Sequence, residues 1–448
     1  MKIALVSPKG PLYRHKGGIF GKRLRYQPLT LTTLAALIPA ELDAEVELID
    51  EGIEDINPRL KADLVGMTVI SGCANRSYEL AAQFRARGIT VVLGGPHVTL
   101  LPEEAQEHAD AICIGYAEES WPQLLRDFHA GTLQRVYRQA ANFSLRTLPQ
   151  ESQVFPRREL LNKRRFLTHA VFEATRSCMH NCEFCVAPSA WGRKQLQRPV
   201  DWVIEDIRRV AKKRIIFIDL NLTGDTRYAR ELFLALEPLK VRWFGLSTVL
   251  IAHDPELIDL MARSGCMGVL LGLETVSQAS LGDAGKKFNR SVDYEQVIYM
   301  LHKKGIHIQG CFVFGLDSDS KDIFDETVDF ALSTGIDLPR FSILTPFPGT
   351  PLFDRLESQG RIRHRNWELY DGQHVVYEPA RMNAEELYDG HERAWKKVYR
   401  WRSIAKRLWI AGNFHPLAVS VNVGYRFYAN NLHRYYNCDW QVETLPCS

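Results

Sequence analysis

The chain reads as an α/β protein in three parts: a Rossmann-like, flavodoxin-type open sheet, then a partial (βα)6 barrel, then a helical C-terminal region. Three observations carry this reading. Before residue 140, five short β-branched runs alternate with helical patterns, and between 166 and 365 six more strand runs do the same. Directly after the first strand of the second series, Cys178, Cys182 and Cys185 crowd into one short loop. Alternating strands and helices imply parallel sheets joined by crossover helices. With 448 residues, 46% of them hydrophobic, the chain can bury large cores and should divide into two or three domains. The expected boundaries are 1–140 for the first sheet, 141–165 for a linker, 166–365 for the barrel and 366–448 for the C-terminal region.

The first sheet is expected from strands at 3–7, 45–50, 64–70, 90–93 and 111–114, each an apolar run bounded by turn residues. The run at 3–7 is too short for a signal peptide and reads as a buried strand. Such sheets bind ligands beyond the carboxyl ends of their strands. There lie Ser7, Asp50, Ser71, Gly94, Gly95, His97, Gly115 and Glu118. Residues 141–165, polar and without a period, read as a strap. Barrel strands are expected at 169–175, 215–219, 241–248, 267–274, 307–314 and 339–345, with helices starting at Asp201, Asp225, Pro255, Val292 and Asp319. Barrel active residues gather at the carboxyl ends of strands, here the cysteine loop, Asp219 with Asn221, Ser247 with Thr248, and Glu274. Each of these polar residues could instead cap the following helix. After the last strand, Pro346, Pro348, Gly349 and Pro351 fix an exit turn, which either floors a pocket or is simply a rigid connection.

A four-iron cluster is ordinarily held by four thiolates, so three on one tight loop leave one iron open. The Cys-x3-Cys-x2-Cys pattern resembles the radical S-adenosylmethionine (SAM) enzymes. The resemblance implies that Cys178, Cys182 and Cys185 hold a single 4Fe-4S cluster, that the open iron chelates SAM, and that an electron from the cluster cleaves SAM to a deoxyadenosyl radical. It also implies that Phe184 lies against the adenine and that Asp219, Asn221, Ser247 and Glu274 hold the SAM ribose and amino-acid moiety, Glu274 being the first choice. The alternative is structural zinc with His180 or a distant cysteine as fourth ligand. Structural zinc usually draws ligands from two separated knuckles, whereas His180 sits inside the loop.

The N-terminal third carries Gly94-Gly95-Pro96-His97 and Gly115-Tyr116-Ala117-Glu118, and resembles the cobalamin-binding domain that precedes the radical SAM barrel in one large subgroup. That resemblance implies a cobalamin-binding sheet in front of a radical SAM barrel, and makes the eight strand-end residues named above cofactor-binding candidates. Cobalamin domains of the methionine synthase type carry Asp-x-His-x-x-Gly, whereas this chain reads Asp50-Glu51-Gly52-Ile53-Glu54. Gly52 cannot ligate cobalt. Cobalamin is therefore expected base-off, without a histidine from this loop, its lower face covered by residues 71–75. His97 is expected at the cofactor's periphery, or else as a solvent-facing turn residue.

Composition narrows the partners. A net charge of +3 over 56 basic and 53 acidic residues gives no case for nucleic acid. Nine scattered cysteines suit a reducing cytoplasm better than a secreted disulfide framework, and Cys438 with Cys447 are too few for a second cluster. No run reaches the roughly 18 apolar residues of a membrane span. Between His391 and Trp409, seven Lys or Arg accompany one Glu and are interleaved with Trp395, Tyr399, Trp401 and Trp409. This stretch is expected to pack its aromatics on the barrel, with a peripheral membrane contact as the alternative.

The two resemblances together imply a cobalamin-dependent radical SAM enzyme with a small-molecule substrate and a flavodoxin or ferredoxin as electron donor; the cysteine usage adds a cytoplasmic location, and the aromatic, basic C-terminal stretch tips the substrate toward an apolar one. In methylating relatives one SAM methylates cobalamin and a second yields the radical. The first reading is thus a methyltransferase acting on an unactivated carbon of a lipid, tetrapyrrole or secondary metabolite. Radical oxidation or cyclisation, as in the oxidative cyclase of bacteriochlorophyll synthesis, is the alternative in the same architecture. A non-catalytic cobalamin or iron-sulfur sensor is the more distant one.

Overall fold

The computed structural model describes residues 1–10, 26–57, 59–149, 152–163 and 166–432; Cys438 and Cys447 lie outside them. The first sheet is built from β1 (Lys2–Ser7), β2 (Glu45–Asp50), β3 (Leu64–Thr68), β4 (Thr90–Gly94), β5 (Ala111–Ile114) and β6 (Val136–Arg138), all parallel, in the order β2-β1-β3-β4-β5-β6. The order reverses between β1 and β3, which opens a crevice at the carboxyl ends of the strands. Leu31, Ala35, Trp121 and Leu125 cover one face, while Leu80, Ala81 and Phe84 cover the other. Burial on both faces explains why these strands are continuously apolar. The sixth strand was not foreseen: only Tyr137 of its three residues is buried, so it is too short to show a period.

The strap is packed rather than loose. Phe143, Leu145 and Leu148 bury with Leu196, and Arg158 forks onto Asp206 at 2.7 and 2.8 Å.

The second sheet comprises β7 (Val171–Phe172), β10 (Arg214–Phe217), β11 (Arg242–Ser247), β12 (Cys266–Glu274), β13 (His307–Phe314) and β14 (Arg340–Ile343), parallel and in the order β14-β13-β12-β11-β10-β7. β7 and β14 are its two edges, so the barrel stays open. The strand expected at 169–175 is cut short for a physical reason. Ala174 and Thr175 donate their backbone N–H groups to the Asp219 carboxylate rather than to a neighbouring strand. The chain then turns away as β8 (Thr175–Arg176), antiparallel to β9 (Leu196–Gln197).

The C-terminal region has two jobs. Trp367, Tyr370 and Val376 return to the core of the first sheet, and Trp367 Nε1 donates to Glu104 at 3.0 Å. A helix at Ala384–Val398 then opens on a capping box between Asn383 and Glu386. The basic, aromatic stretch divides: Trp395 and Tyr399 are buried, whereas Trp401 is 57% and Trp409 77% exposed. No helix among the described residues is long and apolar enough to cross a membrane.

Candidate active site between the two sheets

A cavity of about 310 Å³ joins the carboxyl ends of the two sheets. Gly66, Thr68, Gly94, Gly95, Gly115 and Glu118 wall it on one side, and Glu173, Thr175, Arg176, Ser177, Ile218 and Leu220 on the other. Glycines let its walls pack closely on their neighbours. Gly95 holds φ at +106°, and a Cβ there would fall 2.8 Å from the Val69 carbonyl oxygen. At Gly66, a Cβ would stand 3.0 Å from Leu5 and 3.2 Å from Trp121. The cavity thus has a glycine rim at the strand ends and an apolar slot that passes Gly66 toward Cys113 and Trp121. Its volume is that of a narrow arm rather than of a whole corrin, so it suits the appended nucleotide of a cobalamin, swung away from cobalt, whose ring lies over the glycine rim.

The polar candidates of the first sheet mostly turn inward. His97 is fully buried, its Nδ1 3.1 Å from Ser71 Oγ and its Nε2 3.2 Å from Glu104. It is therefore no solvent-facing turn residue, and neither it nor Ser71 lines the cavity. Asp50 is buried and accepts the Gly52 N–H at 3.0 Å, fixing the 50–54 turn. The Ser7 carbonyl accepts from Glu51 N–H at 3.0 Å. Ser71, Gly72 and Cys73 form a buried helical turn, so the stretch expected to cover the cofactor presents Ile70, 50% exposed, instead. Glu118 crosses between the sheets to Arg176 at 2.5 Å. Glu173 holds the same arginine at 2.7 Å and Arg198 at 3.1 Å. Sequence reading missed this buried ionic bridge, because its members stand far apart along the chain and no local pattern joins them.

On the barrel side, Ser177 adopts φ +63° immediately before Cys178. Cys182 is buried, and Cys178 and Cys185 are half-buried. The three thiols lie near enough to oppose one another's ionisation. Burial pushes the Cys182 thiol up to about 12, and Lys286 pulls against that shift. This is the cation a thiolate set needs. His180 leaves the set and stacks on Phe288 at 4.1 Å, so it does not serve as the fourth ligand of a zinc site. Phe184 packs partly buried against the barrel core. The exit turn braces the loop, since Leu352 N–H donates to the Glu183 carbonyl at 3.1 Å.

Glu274 ends β12 at φ +67°, after the ladder with β13 slips between Gly272 and Glu274. Such an irregularity re-aims a side chain, and non-glycine residues in this region of backbone space cluster at functional sites. Its Oε1 meets Lys286 Nζ at 2.5 Å. Burial alone would lower the Lys286 ammonium, but Glu274 and Cys182 outweigh it and hold the group above its ordinary value. Lys286 escaped the sequence reading, for nothing local marks it. Asp219 is spent on the backbone N–H groups of Ala174 and Thr175, and burial pushes it up to about 7. Asn221 Oδ1 accepts from Thr223 at 3.4 Å, and the Thr223 hydroxyl meets Ser247 Oγ at 2.5 Å. Asp219, Asn221 and Ser247 are all buried beneath the mouth.

Comparison with known proteins decides what this pairing of sheets is. Residues 172–331 match the radical SAM superfamily and residues 24–125 the B12 binding domain. The chain is 32% identical to the bacteriochlorophyllide d C-12(1)-methyltransferase of Chlorobaculum tepidum, over 85% of this chain and 84% of that one. The chain belongs to the cobalamin-dependent radical SAM methyltransferases. A second relative, the bacteriochlorophyllide d C-8(2)-methyltransferase of the same organism, is 31% identical over 85% of this chain and 87% of its own. The radical SAM methyltransferase TsrM of Kitasatospora setae, solved with cobalamin and a [4Fe-4S] cluster, shares the fold with a TM-score of 0.62 at 17% identity, covering 98% of this chain and 99% of that one. The enzyme uses a 4Fe-4S cluster, SAM and cobalamin, and the thiol triad and the glycine-rimmed cavity of this methyltransferase suit them.

Proposed function

We propose that this enzyme methylates an unactivated carbon of a tetrapyrrole acid, holding cobalamin base-off. The joint cavity carries this reading, because it brings the glycine rim of one sheet and the cysteine-loop side of the other to a single space. Two relatives above 30% identity support the substrate class: their names give two different positions of one macrocycle. When bound, the cluster, SAM and cobalamin supply hydrogen abstraction and a transferable methyl group. In this reading Cys178, Cys182 and Cys185 hold the cluster, and Gly94, Gly95 and Gly115 let the backbone approach cobalamin. Glu274, oriented by Lys286, accepts hydrogen bonds from SAM, and Phe184 packs beside the adenine. Asn221 and Ser247 support the mouth from below, and Asp219 shapes the approach to the cysteine loop. With Gly52 in the loop and both His97 nitrogens engaged, neither position offers cobalt a ligand.

A one-electron donor of flavodoxin or ferredoxin type belongs to the same proposal. So does a peripheral membrane contact through Trp401, Trp409 and the exposed Arg402 and Lys406. The test is turnover of bacteriochlorophyllide d with methyl-labelled SAM and reductant, followed by mass spectrometry. Deoxyadenosine together with labelled macrocycle is the expected result. Deoxyadenosine with an unlabelled but oxidised or cyclised product would move the enzyme to the alternative chemistry, and absence of deoxyadenosine would overturn the reading.

A further inference from the structure

Arg340 opens β14, and the alternation of that strand fixes where it points. Phe341 and Ile343 are buried against the outer helices, the Phe341 carbonyl accepting from Trp395 Nε1 at 3.1 Å. Arg340 and Ser342 therefore face the barrel lumen. Arg340 is exposed to solvent, yet the surrounding protein desolvates it. Part of the side chain therefore meets solvent while the rest lies against its neighbours. Tyr399, Tyr425 and Tyr428 of the C-terminal region lie close enough to influence it.

Three arginines of the interior are each met by a carboxylate: Arg158 by Asp206, Arg176 by Glu118, and Arg198 by Glu173. Among the described residues Arg340 has neither a carboxylate nor a hydrogen-bond acceptor, although a guanidinium offers five donors in a planar fork suited to a carboxylate.

Its position relative to the chemistry can be read from the strand register. Gly272 pairs with Cys311, and Cys311 with Arg340, in one row across the sheet. The Glu274–Lys286 pair lies directly over Gly272, since a Cβ there would fall 2.5 Å from Glu274 Oε1 and 2.8 Å from Lys286 Nζ. Arg340 thus stands two strands away, about 10 Å at ordinary strand spacing. We infer that Arg340 is the substrate-anchoring residue, binding a carboxylate at one end of the substrate while the reacting carbon lies toward the Glu274 end of the row. This rests on the tetrapyrrole-acid reading and deepens it by naming the group recognised.

The test titrates the cofactor-loaded enzyme with bacteriochlorophyllide d and with its methyl ester, reading fluorescence quenching, in wild type, Arg340→Gln and Arg340→Lys. Cluster and cobalamin absorbance serve as the check on folding. A charge-assisted bidentate contact predicts about tenfold tighter binding of the acid than of the ester in wild type. Arg340→Gln should bind acid and ester equally, and Arg340→Lys should recover part of the preference. Equal binding of acid and ester by wild type would overturn the inference and leave the tetrapyrrole reading standing. Failure of wild type to bind either form would remove that reading and the inference with it. Weakened SAM binding in Arg340→Gln, with the acid preference intact, would reassign the cation to the carboxylate of SAM.

Discussion

The two sheets place their sites alike, at the carboxyl ends of parallel strands, and equip them in opposite ways. The first sheet works by subtraction: Gly66, Gly94, Gly95 and Gly115 open a cavity, and the polar residues beside it are spent on holding loops. The barrel works by addition, with three thiols, a carboxylate and an ammonium converging from separate segments, and with Ser177 and Glu274 in left-handed backbone conformations next to them. One site is a shape and the other is a charge arrangement. A shape fails when something is added to it, and a charge arrangement fails when something is taken away.

The largest effect should come from subtraction on the barrel side. Cys182→Ala should abolish cluster assembly and SAM cleavage while cobalamin still binds, because the first sheet's core draws on the C-terminal residues Trp367, Tyr370 and Val376 but on no residue of the cysteine loop. Iron content, deoxyadenosine and cobalamin absorbance read the three outcomes, and loss of all three would mean that the sheets fold as one unit. Addition is the matching experiment on the other side. Gly66→Val, with a branched side chain pushed toward Leu5 and Trp121, should lower cobalamin affinity by tenfold or more, about 1.4 kcal/mol or above, and leave iron content unchanged. Cobalamin affinity equal to wild type would show that the slot is not where the cofactor's arm enters.

The contrast also explains what could be read from the sequence. Strands such as Glu45–Asp50 and His307–Phe314 stand where their apolar runs place them, because burial periodicity is local. The cysteine loop and the glycine turns are local as well. Partnerships are not: His97 with Ser71, Glu118 with Arg176, and Glu274 with Lys286 each join residues that only the folded chain brings together. For that reason the strand-end positions were legible, while the roles of Asp219 and His97 were not. Asp219 looked like a mouth residue and is a brace, which also cuts short the strand before the cysteine loop.

A smaller loss is expected at Glu274. Glu274→Ala removes an acceptor proposed for SAM and leaves Lys286 buried without its carboxylate, so SAM affinity should fall about tenfold, in keeping with loss of a charged hydrogen bond. Iron content should hold. Glu274→Gln keeps an acceptor and should recover part of the affinity in equilibrium dialysis. SAM affinity unchanged in both variants would take Glu274 out of the site and leave its strained backbone without a functional account.

The mildest effect separates the sheets by pH. His391, on the helix that backs β14, is fully buried, and burial lowers its pKa to about 4 despite the hydrogen bond between Nε2 and the Phe341 carbonyl. The unfolded chain takes up that proton near 6.5 and the folded chain only near 4, so protonation favours unfolding between the two. Stability should therefore fall as pH drops from about 6.5 toward 4, by on the order of 3 kcal/mol over the full window if this group acts alone. Thermal melts at pH 7 and pH 5 should differ less in His391→Gln than in wild type. The barrel side should carry this loss, since His391 packs on the barrel's last strand and is not among the residues lining the cavity between the sheets. If cobalamin release followed the same pH curve and flattened with the same substitution, the two sheets would be coupled through the C-terminal region, whose Trp367 already reaches Glu104 of the first sheet.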